Sequence, residues 1–283
     1  MSYIKDDNSK KRRVGMVLTY ILLSLFAILA IAPLLWLIIN SFKTSQEYQL
    51  NRLGFPKTFF WQNYTQAWTR GHFGIYIINS IIYTAITTIA ILILSFMSGF
   101  AFSKINCRAT KGIYGSYVVG ILMTLQSIMI PLFIVINQVG LYDTKLGVLI
   151  PYIGIGLPMG IYLATEFMKS IPNALVESAR LDGAHYGRIF LSIMTPMSAP
   201  VGTTIAILQI SGTWNEFMLI NMLTSSTKNK SLPVGIQSFA GSLSTDYGKL
   251  FASLVIGLVP MLLFYIIFRK EITKGVSAGA VKG

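Results

Sequence analysis

Charged side chains are scarce: Asp, Glu, Lys and Arg make up 12% of the 283 residues, against roughly 25% in ordinary soluble domains. The scarcity is also uneven. No charge occurs between Arg13 and Lys43, Arg70 and Lys104, Lys111 and Asp143, Lys145 and Glu166, or Lys249 and Arg269, and only Glu216 stands between Arg188 and Lys228. Cysteine is limited to Cys107, which excludes an intramolecular disulfide and makes redox chemistry a poor reading. Histidine is limited to His72 and His185, too little material for a His-based metal site, and no metal ligand is assigned. A phosphate-binding G-x-x-x-x-G-K-[ST] loop is missing; the nearest stretch, "YGKL" at 247–250, has neither the glycine spacing nor the hydroxyl residue. Zinc-type and nucleophile-elbow motifs are missing as well. No catalytic residue is assigned, no cofactor is expected in this chain, and it is not expected to be an enzyme.

What is abundant is apolar length. Hydrophobic residues make up 53% of the chain, and each uncharged interval accommodates a helix of about 20 apolar residues, enough to cross a bilayer. Spans are expected near 14–40, 76–102, 112–138, 147–168, 198–223 and 250–269. The fold class is therefore an all-α integral membrane protein, a six-helix transmembrane bundle. Residues 1–13 form a basic N-terminus, 14–270 a transmembrane domain, and 271–283 a tail. An even number of spans puts both termini on one side, and fifteen of the 23 Lys and Arg fall on that side. The positive-inside rule assigns it to the cytoplasm. The basic excess is thus a topology signal, and no nucleic-acid partner is expected. The run from Val14 to Asn40 is too long for a signal h-region of about 7–15 residues and reads as a retained span.

Two stretches have competing readings. The outer loop 41–75 carries "FPKTFFWQNYTQAW", which suits either anchoring at the headgroup level or a helix that touches an outside partner. The fourth span holds Pro151, Gly154, Gly156, Pro158 and Gly160, a composition for close packing inside the bundle rather than for facing lipid, with a hinge as the competing reading.

The polar stretch "LVESARLDGAHYGRIF" at 175–190 falls in the expected cytoplasmic loop 169–190, between spans four and five. Pro172 suits a first helical turn, 173–181 holds good helix formers, and Gly183 suits a stop, because glycine reaches φ > 0 without steric cost. Leu175, Ala179, Leu181 and Ala184 offer an apolar strip. The expected product is a helix–turn–helix knob. Its mixed charges, Glu177 and Asp182 beside Arg180 and Arg188, fit a protein partner better than a lipid surface, which favours Lys and Arg alone.

These residues resemble the EAA loop of ABC-importer permease subunits. Glu177-Ser178-Ala179, Gly183 and Ile193-Met194-Thr195-Pro196 match its pattern, with Ser178 and Thr195 as departures, and the "DGA" of Asp182-Gly183-Ala184 is similar to the carbohydrate-importing subset. "SGFAFSKI", "GLYDTKLGVLIPY", "TWNEF", "SLPVGIQSF" and "GVSAGAVKG" also look like stretches of maltose-type sugar permeases, so the likeness runs from about residue 75 to the C-terminus. It implies a permease subunit forming half of the pathway of an ATP-driven sugar importer in the bacterial cytoplasmic membrane. The implied partners are a second, different permease, a dimer of ATP-binding subunits carrying ATP and Mg, an extracytoplasmic sugar-binding protein, and membrane lipid. In the knob, the likeness assigns Glu177 and Asp182 to polar contacts in a cleft of the ATPase, Ala179 and Ala184 to keeping the knob slim, and Gly183 to its turn.

Substrate-path candidates follow from helical spacing. Gln209, Gly212, Thr213 and Glu216 lie at i, i+3, i+4 and i+7, with Trp214 and Asn215 nearby, and Asn79, Tyr83 and Thr87 form a second polar row on span two. Glu216 is read as a substrate contact, a packing or gating node, or a snorkelling charge. The tail "TKGVSAGAVKG" is expected to be unable to form a helix alone; it is either a disordered end or a segment lying on the ATPase dimer. The rival for the whole chain is a secondary transporter driven by an ion gradient.

Overall fold

The computed structural model describes residues 3–105, 107–240 and 245–280, and side chains within these except at 3–14, 70 and 271–280. The basic cluster at 10–13 and Lys274 therefore have no described side chains, and Lys282 lies outside the described residues. In chain order the helices are α1 (Tyr3–Ser41), α2 (Ser45–Leu50), α3 (Gln62–Arg70), α4 (Phe73–Lys104), α5 (Arg108–Gly120), α6 (Leu125–Gln138), α7 (Lys145–Lys169), α8 (Asn173–Leu181) and α9 (Tyr186–Ile189). A π turn at Phe190–Met194 leads to α10 (Thr195–Met197), α11 (Ala199–Asn215), α12 (Met218–Leu223), α13 (Leu232–Gln237) and α14 (Tyr247–Ala280). Among the described residues there is no β-strand, only an isolated bridge between Ala240 and Thr245.

Four segments are single helices long and apolar enough to cross a membrane: Gly15–Ser41, Phe73–Lys104, Lys145–Lys169 and Tyr247–Lys270. The expected third span, 112–138, is instead broken. Helices α5 and α6 meet at 106°, where turn bonds from Ile121, Leu122 and Met123 use up the last carbonyls of α5 and Thr124 goes extended. The expected fifth span, 198–223, is also not one helix. It starts as a pair, Tyr186–Met197 and Ala199–Asn215, bent by 72°, and α11 stops at Glu216, whose backbone is extended (φ −69°, ψ 128°). Counting each bent pair as one span gives six.

The tail is a further difference. Its small residues do not nucleate a helix, yet α14 runs unbroken to Ala280, because adding residues to an existing helix avoids the nucleation cost.

The chain forms two compact units. The first comprises Met1–Gly71 and Ile236–Leu258. Within it, Trp36 packs edge-on against Tyr48 and Phe251. Lys43 is fully buried, its ammonium donating to Asn40 Oδ1 at 2.8 Å and to the Asn51 carbonyl at 2.7 Å. Burial lowers the pKa of that amine, and nearby Glu47 opposes the shift.

The second unit comprises His72–Gly235 and Val259–Gly283. Its centre is α4 against α7. A Cβ on Gly160 would strike Ser95 and Ile91 of α4, one on Gly156 would strike Ile91 and Gln209, and one on Gly99 would lie 2.8 Å from Ala164 Cβ. Small residues thus set the closeness of this pair, as in membrane helix packing generally.

Candidate functional site

The polar loop folds as a knob between α7 and the bent pair. Helix α8 ends in a Schellman motif: Gly183 has φ +82°, its amide donates to the Arg180 carbonyl at 3.0 Å, and the Ala184 amide reaches back to Ala179 at 2.9 Å. His185 then caps α9, its Nδ1 accepting from the Arg188 amide at 3.2 Å. The expected apolar strip divides. Ala179 and Ala184 pack against the cluster of Phe100, Met168, Ile171, Val176, Ile189 and Met194, whereas Leu181 is 89% exposed. Glu177, Asp182 and Gly183 are exposed, so the knob presents Leu181 flanked by acids at its outer end. Arg180 donates to the Tyr186 hydroxyl at 2.7 Å, fixing one of the knob's arginines against its own ring.

The base of the knob is tied to α4. Lys104, the last residue of that helix, donates to the Ile171 carbonyl at 2.6 Å and to Asn173 Oδ1 at 2.8 Å. Its ammonium thereby joins the Ile171 carbonyl, in the link after α7, to the side chain of the first residue of α8.

The second assembly surrounds Glu216. Gln209, Gly212, Thr213 and Glu216 share a cavity of about 200 Å³ with Leu125, Tyr152, Ile155, Gly156 and Leu219. Glu216 stands just past the end of α11 rather than within it. Its Oε1 accepts from the Leu219 amide at 2.7 Å, and its Oε2 from the Ile220 amide at 3.1 Å and the Tyr152 hydroxyl at 2.7 Å. The carboxylate ends one helix and caps the next, where the dipole of α12 favours a negative charge. Trp214 is buried outside that lining, and Asn215 is exposed and bonded to the Ser211 carbonyl.

The row on α4 has other partners. Asn79 donates to the carbonyls of Lys228 and Lys230, Tyr83 to that of Asn229, and Ser80 accepts from the Leu232 amide. Thr87 is buried with no hydrogen-bond partner among the described residues. Asn79 and Tyr83 therefore hold the 228–232 segment; neither lines the Glu216 cavity, but the Tyr83 ring packs edge-on against Tyr152 of that lining at 6.4 Å.

Asp143 secures the neighbouring stretch 225–229. It sits at φ +55°, and its Oδ1 accepts from the amides of Ser225 and Ser226, the Ser226 hydroxyl and the Asn229 amide group. Burial opposes its ionisation, but these hydrogen bonds prevail and hold its carboxyl well below the usual carboxylate range.

Lys104, Asp143 and Tyr152 had no assigned role in the sequence. Each nevertheless stood inside a quoted stretch, "SGFAFSKI" or "GLYDTKLGVLIPY".

Residues 108–270, which include the knob and the Glu216 cavity, match the family model of binding-protein-dependent transport system inner membrane components. The chain belongs to that family. It is 36% identical over 265 residues to a putative ABC transporter permease protein of Caldicellulosiruptor sp., covering 93% of this chain and 96% of that one. The diacetylchitobiose uptake system permease protein of Streptomyces coelicolor is 30% identical over 276 residues, 97% of this chain and 91% of that protein. The trehalose transport system permease protein of Mycobacterium tuberculosis is 31% identical over 256 residues, 90% and 93% of the two chains. Among solved structures, a bacterial ABC transporter importing the acidic polysaccharide alginate superposes with a TM-score of 0.78 at 23% identity, over 91% of this chain and 96% of that one, and shares the fold. This protein is thus a multi-pass membrane permease of an ABC importer. Its relatives are transport permeases, not enzymes, and the ion-gradient alternative is set aside.

Proposed function

We propose that this permease is one half of the translocation pathway of an ATP-driven sugar importer, with both termini in the bacterial cytoplasm. The knob of 173–190 is its coupling element. The observation that carries this reading is the Schellman-ended knob, exposed at its outer end and fixed at its base by Lys104 and the Met168 cluster.

Such a knob is stiff, so a push on Glu177, Leu181 and Asp182 is passed on as rigid-body movement rather than absorbed. Its base continues through the π turn and the 72° bend into α11, which carries Gln209 and Thr213 to the cavity. ATP and its magnesium belong to a dimer of partner subunits that receives the knob. A second, different permease completes the pathway, and an extracytoplasmic binding protein delivers the sugar. Gln209, Thr213 and Glu216 supply the polar side of the path. Trp214, Asn215, Asn79 and Tyr83 support it from outside the cavity.

The test is copurification from native membranes combined with uptake. No atom lies within 4 Å of where a Cβ on Gly183 would stand, so Gly183→Asp adds a carboxylate at the turn without a clash. Asp tolerates the left-handed region better than most residues. The variant is expected to reach the membrane with its second permease, lose the ATPase, and lose uptake. Retained ATPase and normal uptake would refute the coupling role.

A further inference from the structure

We infer that the segment following the first span is a lipid-binding collar seated in the outer headgroup layer. The apolar helix Gly15–Ser41 has 27 residues, none of them buried across its most apolar stretch. At ~1.5 Å per residue it is about 40 Å long, close to the roughly 40–45 Å of a bilayer with its headgroups. The basic residues at 10–13 stop just before it and, with the termini cytoplasmic as proposed above, mark the inner interface. Ser41 therefore lies at the headgroup level of the opposite leaflet.

An aromatic group is built on that helix end. Phe42 packs edge-on against Phe59 at 5.4 Å and Trp61 at 4.7 Å, and Tyr64 stacks obliquely on Phe42 at 5.3 Å. Phe59 and Trp61 are 63% and 64% exposed, so their apolar area is not consumed by this chain. Helix α3 sorts the rest. Asn63 and Ala67 are buried on one face, while Trp61, Thr65 and Trp68 at i, i+4 and i+7 point away from it, Trp68 being 50% exposed. Indole rings at headgroup depth place their apolar body among acyl carbonyls and leave the N–H to a polar partner.

Charge agrees with this placement. Arg52 and Lys57 of the same segment are exposed, while Glu47, the acid of the segment, has Oε1 engaged by the Lys57 amide at 2.6 Å. The patch is basic and aromatic, the chemistry that recognises phosphate headgroups. A protein partner would have to displace lipid from rings that the helix length already puts in the bilayer interface.

The experiment uses the full chain, with whatever subunits copurify, in vesicles of phosphatidylcholine and phosphatidylglycerol. One lipid is brominated either near the carbonyl or near the middle of the acyl chain. The fluorescence of Trp61 and Trp68 is obtained as the difference between wild type and Trp61→Phe or Trp68→Phe. It is expected to be quenched about twofold more by the shallow bromines than by the deep ones, and little by aqueous iodide. A second reading comes from an environment-sensitive dye on Thr65→Cys in a Cys107→Ser background, which leaves the rings intact. Quenching by iodide and by neither lipid, at the indoles or at the dye, would overturn the inference and leave the face to a protein partner; preferential quenching by the deep bromines would overturn the headgroup placement.

Discussion

The Tyr152 hydroxyl donates to Glu216 Oε2 at 2.7 Å, linking the first third of α7 to the point where α11 ends and α12 begins. The same carboxylate caps α12 through two amides, so one side chain fixes both the break and its position against α7. Glu216→Ala leaves the Leu219 and Ile220 amides and the Tyr152 hydroxyl without their acceptor, and hydrogen bonds to a charged group contribute about 1.5–3 kcal/mol each. Glu216→Gln keeps one acceptor oxygen and the shape. In detergent, Glu216→Ala is expected to unfold several degrees lower than Glu216→Gln. If Glu216 also lines the sugar path, Glu216→Gln keeps assembly but loses uptake. Equal melting of the two variants would show that the cap contributes nothing.

Lys104 makes a separable prediction. Lys104→Met keeps the aliphatic stem but removes both bonds to the knob base, a loss of about 2 kcal/mol of local stability. The knob becomes cleavable near 171–185 by added protease while the rest of the chain stays resistant. ATP-driven uptake falls more than membrane insertion does. Unchanged proteolysis would mean that the Met168 cluster holds the knob alone.

Asp143 predicts a pH dependence. Its carboxyl is held below its unfolded value, so the stability it supplies is fully present above about pH 4, where the unfolded acid is ionised. That stability is lost as the pH falls from there toward the lower folded value. Between pH 5 and 8 this group therefore adds no slope. Asp143→Asn removes the charge but suits φ +55°, since Asn accepts the left-handed region readily. The variant is expected to melt lower than wild type at neutral pH, with the gap closing below pH 4. A constant gap down to the most acidic condition would exclude the ionised clasp.

Hydropathy alone located the four straight spans to within a few residues, because lipid demands a long uncharged helix whatever its partners. It could not find the breaks. Residues 112–138 and 198–223 are as apolar as the rest, and the direction change at Ile121–Thr124 depends on which carbonyls the next amides can reach. At Glu216 the sequence shows a member of a polar face and no more, since Glu is not among the preferred N-cap residues and its bonds to the Leu219 and Ile220 amides have no local signature. Gly183 was legible because its role is local, a left-handed residue after a run of helix formers. Lys104, Asp143 and Tyr152 were not, since their partners lie 67, 83 and 64 residues away in sequence. In 41–75 the aromatic run offers a helix and α3 is there, whereas the six-residue α2 is too short to show a helical period.

The glycines of α7 provide the sharpest test of the bundle's packing. Gly154, Gly156 and Gly160 look alike in the sequence, and the structure separates them. A Cβ on Gly154 meets nothing within 4 Å, whereas one on Gly160 would strike the Ser95 hydroxyl and lie 2.9 Å from Ile91 Cγ2. Ser95 and Ile91 are fully buried on α4, so neither can swing aside cheaply. Gly154→Ala replaces a poor helix former by the best one in open space, a change of about +0.5–1 kcal/mol in favour of the helix. Gly160→Val forces α4 and α7 apart, and overpacking of this kind typically costs about 1–3 kcal/mol. Because the same helix pair supports both the Tyr152–Glu216 link and the Lys104 anchor, the loss should appear in uptake as well as in melting temperature. Side-by-side melting of the two variants is the check. Gly154→Ala is expected at or slightly above wild type and Gly160→Val several degrees below. Equal melting of both would mean that α4 and α7 are not as close as this arrangement requires.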